Sequence, residues 1–317
     1  MISVVVPALN EEAGVRELYA RITSAAAHWP DSELELILVD DGSTDRTLSI
    51  CRELAAADPR FKIVSLSRNF GHQAAVSAGL QHTSGNVVVV MDADLQDPPE
   101  NVGPLISKLD EGFDVVYAVR TKRKEGVAKR TLYYLYYRLL KKLATLDIPL
   151  DSGDFCVMRG SVTRAICDLP ERNRFLRGLR TWVGYRQTGV VYERGARFAG
   201  EPKYTFSGLI KLGLDGIVNF SSKPLHVAIL FGISVGFCSI LLGIFVLLQY
   251  MADWTIFGFN PRQARGWTSL IFVLLFSSAT QLFCIGILSE YVGRLFEEIK
   301  ARPIYLVQER INIASPR

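Results

Sequence analysis

The first 120 residues switch repeatedly between short apolar runs and longer segments that carry an apolar stripe. Ile2–Val6 is mostly β-branched and ends at Pro7, and Leu34–Val39, Phe61–Leu66, Asn86–Met91 and Phe113–Val119 follow as further apolar runs. Runs of this length and composition predict strands. Between them, Glu11–His28 places Val15, Leu18, Ile22 and Ala25 on one helical stripe. Thr44–Ala57, Gly71–His82 and a segment opened by Pro98-Pro99 and running to about Glu111 also read as helices. Apolar strands alternating with helices predict an α/β domain built on a mainly parallel sheet covered on both faces. In such sheets ligands sit beyond the carboxyl ends of the strands. Three polar turns fall there: Pro7–Glu11, Asp40–Ser43 and Asp92–Asp97.

The rhythm then changes. Leu132, Leu135, Leu139 and Leu143 form a helical stripe within residues 126–146, surrounded by four tyrosines and by Lys129, Arg130, Arg138, Lys141 and Lys142. This pattern suits a helix on a membrane surface and equally a helix packed on the domain with a solvated basic face. Residues 207–222 form a second amphipathic segment. Residues 225–251 and 267–289 contain no Asp, Glu, Lys or Arg. As helices they extend roughly 40 and 35 Å, enough to cross a hydrocarbon core of about 30 Å. The expected layout is a catalytic domain over 1–205, an interfacial helix over 206–224, spans over 225–251 and 267–289 joined by an external loop at 252–266, and a tail over 290–317.

Composition adds location. The start, Met1–Pro7, lacks the basic segment and the length of a signal peptide, so the catalytic domain is expected in the cytoplasm. Two spans return the tail to that side. Lys203, Lys211 and Lys223 before the first span, and Arg294, Lys300, Arg302 and Arg310 after the second, agree with a positive interior. The five cysteines show no metal-ligand spacing and read as reduced packing residues. A net charge of +4 is too small to argue for nucleic acid and better suits anionic lipid. Gly232 and Gly236, four apart in the first span, permit close helix packing, and a homo-oligomer is expected.

The chemistry centres on Asp92, Asp94 and Gln96. Two carboxylates this close repel when both are ionised, unless a cation relieves them. Hard oxygen ligands beside a phosphate suit Mg²⁺ or Mn²⁺. Asp97 precedes Pro98-Pro99 and is expected to cap the next helix. Asp41 can accept from a nucleobase N–H or a ribose hydroxyl, or can bond its own turn before Gly42. Asn10 and Glu11 can bind a ligand or serve the start of the helix that follows.

Three segments taken in order carry a resemblance: Val4–Glu12 (VVVPALNEE), Val39–Asp45 (VDDGSTD) and Met91–Asp97 (MDADLQD). They resemble the family 2 glycosyltransferases of the GT-A fold. Asn69–Gln73, Asp151–Phe155, Arg174–Gly178 and Gly200–Tyr204, with two C-terminal spans, narrow the likeness to the polyprenyl-phosphate glycosyltransferases and, within them, to the bactoprenol glucosyltransferase branch. Pro202 departs from that pattern, which has Ser. The resemblance implies that Pro7, Asn10, Glu11 and Asp41 hold uridine, with Asp92, Ala93 and Arg120 along the nucleotide-sugar. It implies that Asp92, Asp94 and Gln96 gather Mg²⁺ or Mn²⁺ with the diphosphate. Asp94 and Asp154 would be catalytic, and Arg130 and Lys203 would bind phosphate of the acceptor. The implied reaction is an inverting transfer of a hexose, glucose from UDP-glucose, to undecaprenyl or another polyprenyl phosphate at the cytoplasmic leaflet. Two other readings are a processive polysaccharide synthase and a non-catalytic nucleotide-sugar binder. Arg180-Thr181-Trp182 lacks the QxxRW pattern of the former, and Asp92, Asp94, Asp154 and Lys203 weigh against the latter.

Overall fold

The computed structural model describes residues 1–30, 33–120, 152–172, 174–192, 223–255, 260 and 266–313. The expected surface helix at 126–146, the segment 206–222, and Asp151, Arg130, Pro202 and Lys203 lie outside these residues, as does the side chain of Arg120. The chain divides into two compact units. One holds the described residues up to 192 together with 301–313, and the other holds those from 223 to 300.

The first unit is an α/β domain. Its described strands are β1 (Ile2–Ala8), β2 (Leu34–Asp40), β3 (Phe61–Leu66), β4 (Val87–Val90), β5 (Val115–Arg120), β6 (Ser152–Arg159), β7 (Gln187–Tyr192) and β8 (Val307–Ile311). They form one sheet in the order β7-β5-β6-β4-β1-β2-β3-β8. β4, β1, β2 and β3 run parallel, as the apolar runs predict. Every residue of β1 and β2 is buried. Alternate residues serve opposite faces. Leu36 and Leu38 join the cluster under helices α1 (Val15–Ala26), α2 (Thr47–Ala57) and α4 (Val102–Asp110), whereas Ile37 and Val39 meet Ala75 and Ala78 of α3 (His72–Gln81). The predicted stripe of Val15, Leu18, Ile22 and Ala25 is the buried face of α1.

Two features were not legible in the local pattern. Strand β6 runs antiparallel between β4 and β5, and β8 runs antiparallel along β3. The segment expected as a tail therefore closes the sheet edge. Asn312 fastens it by donating from Nδ2 to the carbonyls of Ala55 (2.8 Å) and Phe61 (2.9 Å). Helix α5 (Gly160–Cys167) follows β6, and α6 (Leu176–Trp182) follows after a turn. Arg174 is buried and donates to the carbonyls of Ile166 and Leu169, each at 2.7 Å, so it closes the C-terminal end of α5.

The second unit contains α7 (Lys223–Ala252) and α8 (Trp267–Ile299). Ala228–Ala252 and Val273–Ile299 have mean hydropathies of 2.5 and 1.5, and none of either most apolar window is buried. Leu230, Ile233, Phe237, Leu275 and Leu282 lie bare on the surface. A core helix of a soluble domain would cover such a face, so the pair marks a membrane-associated chain. Helix α8 runs ten residues past the expected end at 289. Glu290–Arg294 and Glu297–Lys300 pairs, each at 2.8 Å, line its last turns. The left-handed backbone of Ala301 (φ 51°) ends it. Among the described residues, a Cβ on Gly232 or Gly236 would meet nothing within 4 Å.

Candidate active site

The three polar turns lie together at the carboxyl edge of the sheet. Ala8 pairs with Asp40 in the β1–β2 register, and Met91 N–H donates to the Val5 carbonyl at 3.1 Å. The turns after β1 and β2 are also bonded to each other. Asn10 N–H donates to Ser43 Oγ (3.0 Å), Thr44 N–H to Asn10 Oδ1 (2.9 Å), and Glu11 N–H to Thr47 Oγ1 (2.8 Å). This polar stitching explains why α1 and α2 begin at Val15 and Thr47, later than the expected Glu11 and Thr44. Gly14 occupies the N-cap of α1, so neither Asn10 nor Glu11 caps that helix.

Beyond β4 the chain continues its alternation. Met91, Ala93, Leu95 and Asp97 are buried, while Asp92, Asp94 and Gln96 are partly exposed. Leu95, at φ 56°, turns the segment, and Asp94 Oδ1 accepts from Gln96 N–H at 3.1 Å. The side chain of Ala93 belongs to the core, so only its backbone is left for a ligand. Asp97 corrects an expectation. It makes no side-chain cap for the 3-10 turn Pro99–Asn101, whose N-cap is Pro98. Its carboxylate accepts instead from the hydroxyl of Tyr192 on β7, which ties the end of β4 to a strand three places away.

Asp41 is buried, and its two oxygens accept from the N–H groups of Phe70 (2.7 Å) and Gly71 (3.0 Å). Burial raises its pKa, against the lowering by those two bonds. Gly71 takes φ 98°, and α3 begins at the next residue. Asp41 thus holds the loop that launches α3, while each oxygen keeps a second lone pair for a ligand. Gly79 lets α3 lie close on the sheet, since a Cβ there would be 2.3 Å from Val5 Cγ1.

That helix delivers the residue the sequence reading gave no role. The antiparallel register ends with Val90 opposite Cys156, and Asp92 and Asp154 each lie two residues beyond that pair. His72 stands between them. Its Nε2 is 2.9 Å from Asp92 Oδ1, and its Nδ1 is 3.9 Å from Asp154 Oδ2. Arg177 on α6 donates from Nε to Asp154 Oδ1 at 2.8 Å. Gln73 Oε1 accepts from Leu176 N–H at 2.8 Å, which joins the first turns of α3 and α6. Beneath them Arg180 is fully buried, with its guanidinium 5.0 Å from the centre of the Tyr117 ring. Burial alone would raise the Asp154 carboxyl. The charge and hydrogen bond of Arg177, with His72 and Arg180 adding, hold it well below the ordinary carboxylate range. Burial pulls the His72 pKa down, but the Asp92 hydrogen bond and the two carboxylate charges outweigh it and leave it raised. The available signal for His72 was position: the turn after the third strand lies at the same sheet edge as the other three.

Among the described residues no group of three or more His, Cys, Asp or Glu is placed to hold a metal on its own. Asp92 and Asp94 supply two partly exposed carboxylates, which fits an ion that completes its shell with substrate phosphate and water. A separate cavity of about 810 Å³ lies at the far end of α3, lined by Gln81, His82, Cys167, Arg172, Tyr305 and Arg310 among others. It is remote from the acidic groups, and the chemistry sits at the sheet edge.

Residues 3–167 match the family model described as Glycosyl transferase family 2. The chain is 44% identical to the uncharacterized glycosyltransferase YkcC of Bacillus subtilis, over 99% of this chain and 95% of that protein. It is 40% identical to the bactoprenol glucosyl transferase of Shigella phage SfX, over 98% of this chain and 99% of that protein. It is 37% identical to the prophage bactoprenol glucosyl transferase homolog of Escherichia coli, over 97% and 98%. With a family match over half its length and relatives of this identity along nearly all of it, the chain belongs to family 2 of the glycosyltransferases.

Proposed function

We propose that this enzyme transfers glucose from UDP-glucose to a polyprenyl phosphate, with inversion, at the cytoplasmic face of a membrane. The observation that carries the reading is the array Asp92–His72–Asp154–Arg177 at the carboxyl edge of the sheet, in a chain similar along its whole length to bactoprenol glucosyl transferases. Asp92 and Asp94, with Gln96 beside them, would hold Mg²⁺ or Mn²⁺ against the donor diphosphate. When bound, the ion acts as a Lewis acid that neutralises charge on the departing diphosphate. Pro7, Asn10, Glu11 and Asp41 line the turns assigned to uridine. Arg120, Arg130 and Lys203 enter as phosphate clamps on the strength of the resemblance alone.

The acceptor phosphate is already anionic near neutral pH, with a second pKa near 6. It attacks without surrendering a proton. Asp154 suits that requirement, because Arg177 and His72 hold it as a carboxylate and make it a poor base. It orients the sugar or the arginine rather than abstracting a proton. A topology of two crossings, with the sheet domain and both termini cytoplasmic, is supported by β8, which comes after both apolar helices yet hydrogen-bonds to β3.

The test is transfer of radiolabel from UDP-glucose to undecaprenyl phosphate by the full chain in nanodiscs, with Mg²⁺ or Mn²⁺. The expected result is label in the lipid fraction, reduced about 100-fold or more by Asp94→Asn. Unchanged turnover in that variant overturns the acidic-pair reading. A donor screen with mass spectrometry of the product identifies the sugar.

A further inference from the structure

We propose that His72 is a positioning residue that fixes the Asp92 carboxylate for the metal-diphosphate. The inference rests on the acidic-pair reading above.

His72 is held from three directions. Its helix begins at a loop whose Phe70 and Gly71 N–H groups are bonded to Asp41. Gly79, two turns along, seats α3 against Val5 and Val39. The neighbouring Gln73 links α3 to the N–H of Leu176, the residue before Arg177. The imidazole is therefore presented by a fixed backbone. Its Nε2 donates to Asp92 Oδ1, which leaves Oδ2 and the second lone pair of Oδ1 for an ion. This bond exists with the ring neutral or charged, so the role does not depend on titration. The side chains of His72 and Asp92 are both about a third exposed, so the bond sits at the floor of an open site and is not buried packing. Hydrogen bonds of this kind orient ligating carboxylates, and their loss weakens metal affinity by about 10- to 100-fold.

The same ring faces Asp154, which Arg177 holds from the other side. Asp154 lies on β6 and Asp92 two residues past the end of β4, and the first turn of α3 stands beside both, with Gln73 Nε2 3.5 Å from Asp154 Oδ2. A change at His72 is thus expected to act on the donor and the ion, with the acceptor KM left alone.

The test measures Mn²⁺ binding to the full chain in the presence of UDP by electron paramagnetic resonance, beside steady-state kinetics. His72→Asn, whose amide stops short of Asp92, is expected to raise the Mn²⁺ Kd and the donor KM by about 10-fold or more. His72→Gln, whose longer amide can donate to Asp92, is expected to recover most of both. Wild-type Mn²⁺ affinity in a folded His72→Asn variant, with Asp92→Asn impaired, overturns the inference and leaves the acidic-pair reading standing. Equal loss in His72→Asn and His72→Gln also overturns it. Wild-type affinity in Asp92→Asn instead overturns the acidic-pair reading beneath it.

Discussion

Arg177 Nε lies 2.8 Å from Asp154 Oδ1, joining α6 to β6 across 23 residues of sequence. Removing the arginine leaves a buried carboxylate with only the longer contacts of Gln73 and His72. Arg177→Ala is expected to cost about 2–3 kcal/mol, measured by thermal or denaturant unfolding. The pH dependence has a definite sign. Asp154 has a depressed folded pKa, so its contribution is present above the ordinary carboxylate value, about 3.9, and is lost as pH falls through the folded value. The stability gap between wild type and Arg177→Ala is therefore full at pH 7 and narrows below about pH 4.

Gly79→Ala tests the seating of α3. The added methyl would stand 2.3 Å from Val5 Cγ1 and 3.0 Å from Val39 Cγ2, both on buried strands with no room to swing. Alanine gains up to about 1 kcal/mol in helix propensity, but overpacking costs about 1–3 kcal/mol. A net loss is expected in the melting temperature, with a rise in donor KM as His72 is displaced.

Asn312→Ala tests the clamp on β8. It removes bonds to the Ala55 and Phe61 carbonyls and puts alanine at φ 58°. The combined expectation is a loss of about 2–3 kcal/mol in unfolding free energy. Asn312→Gly relieves the backbone strain alone and is expected to recover roughly 1 kcal/mol of it.

Sidedness can be read with a membrane-impermeant maleimide. Arg46→Cys and Gln308→Cys, both at exposed positions of the sheet domain, are expected to label together from the cytoplasmic side. Ala252→Cys, at the end of α7, is expected to label from the opposite side. Labelling of Arg46→Cys and Gln308→Cys from different sides would contradict a shared sheet.

Much of this protein was legible in its residue pattern. The parallel core needed only near-continuous apolar runs: within Ile2–Val6 and Leu34–Val39 only Ser3 and Glu35 are polar. The strand-end rule brought Pro7–Glu11, Asp40–Ser43 and Asp92–Asp97 to one edge before any coordinates. The uncharged stretches gave two apolar helices because lipid tolerates no unpaired backbone and few charges. All of these are local signals, carried by a few turns of helix or one strand.

The tertiary structure decided what local periodicity cannot carry. Val307–Ile311 shows no special composition; it becomes β8 because β3 leaves a row of backbone groups unpaired at the sheet edge. Asp97 is well placed for a cap, yet it turns inward because Tyr192, 95 residues later, brings it a hydroxyl. His72 becomes part of the site because β6 enters antiparallel beside β4 and brings Asp154 to the edge where Asp92 lies, with the first turn of α3 near both. Strand order and side-chain pairing are set by contacts between distant segments, and burial makes an unpaired polar group costly enough to choose among them.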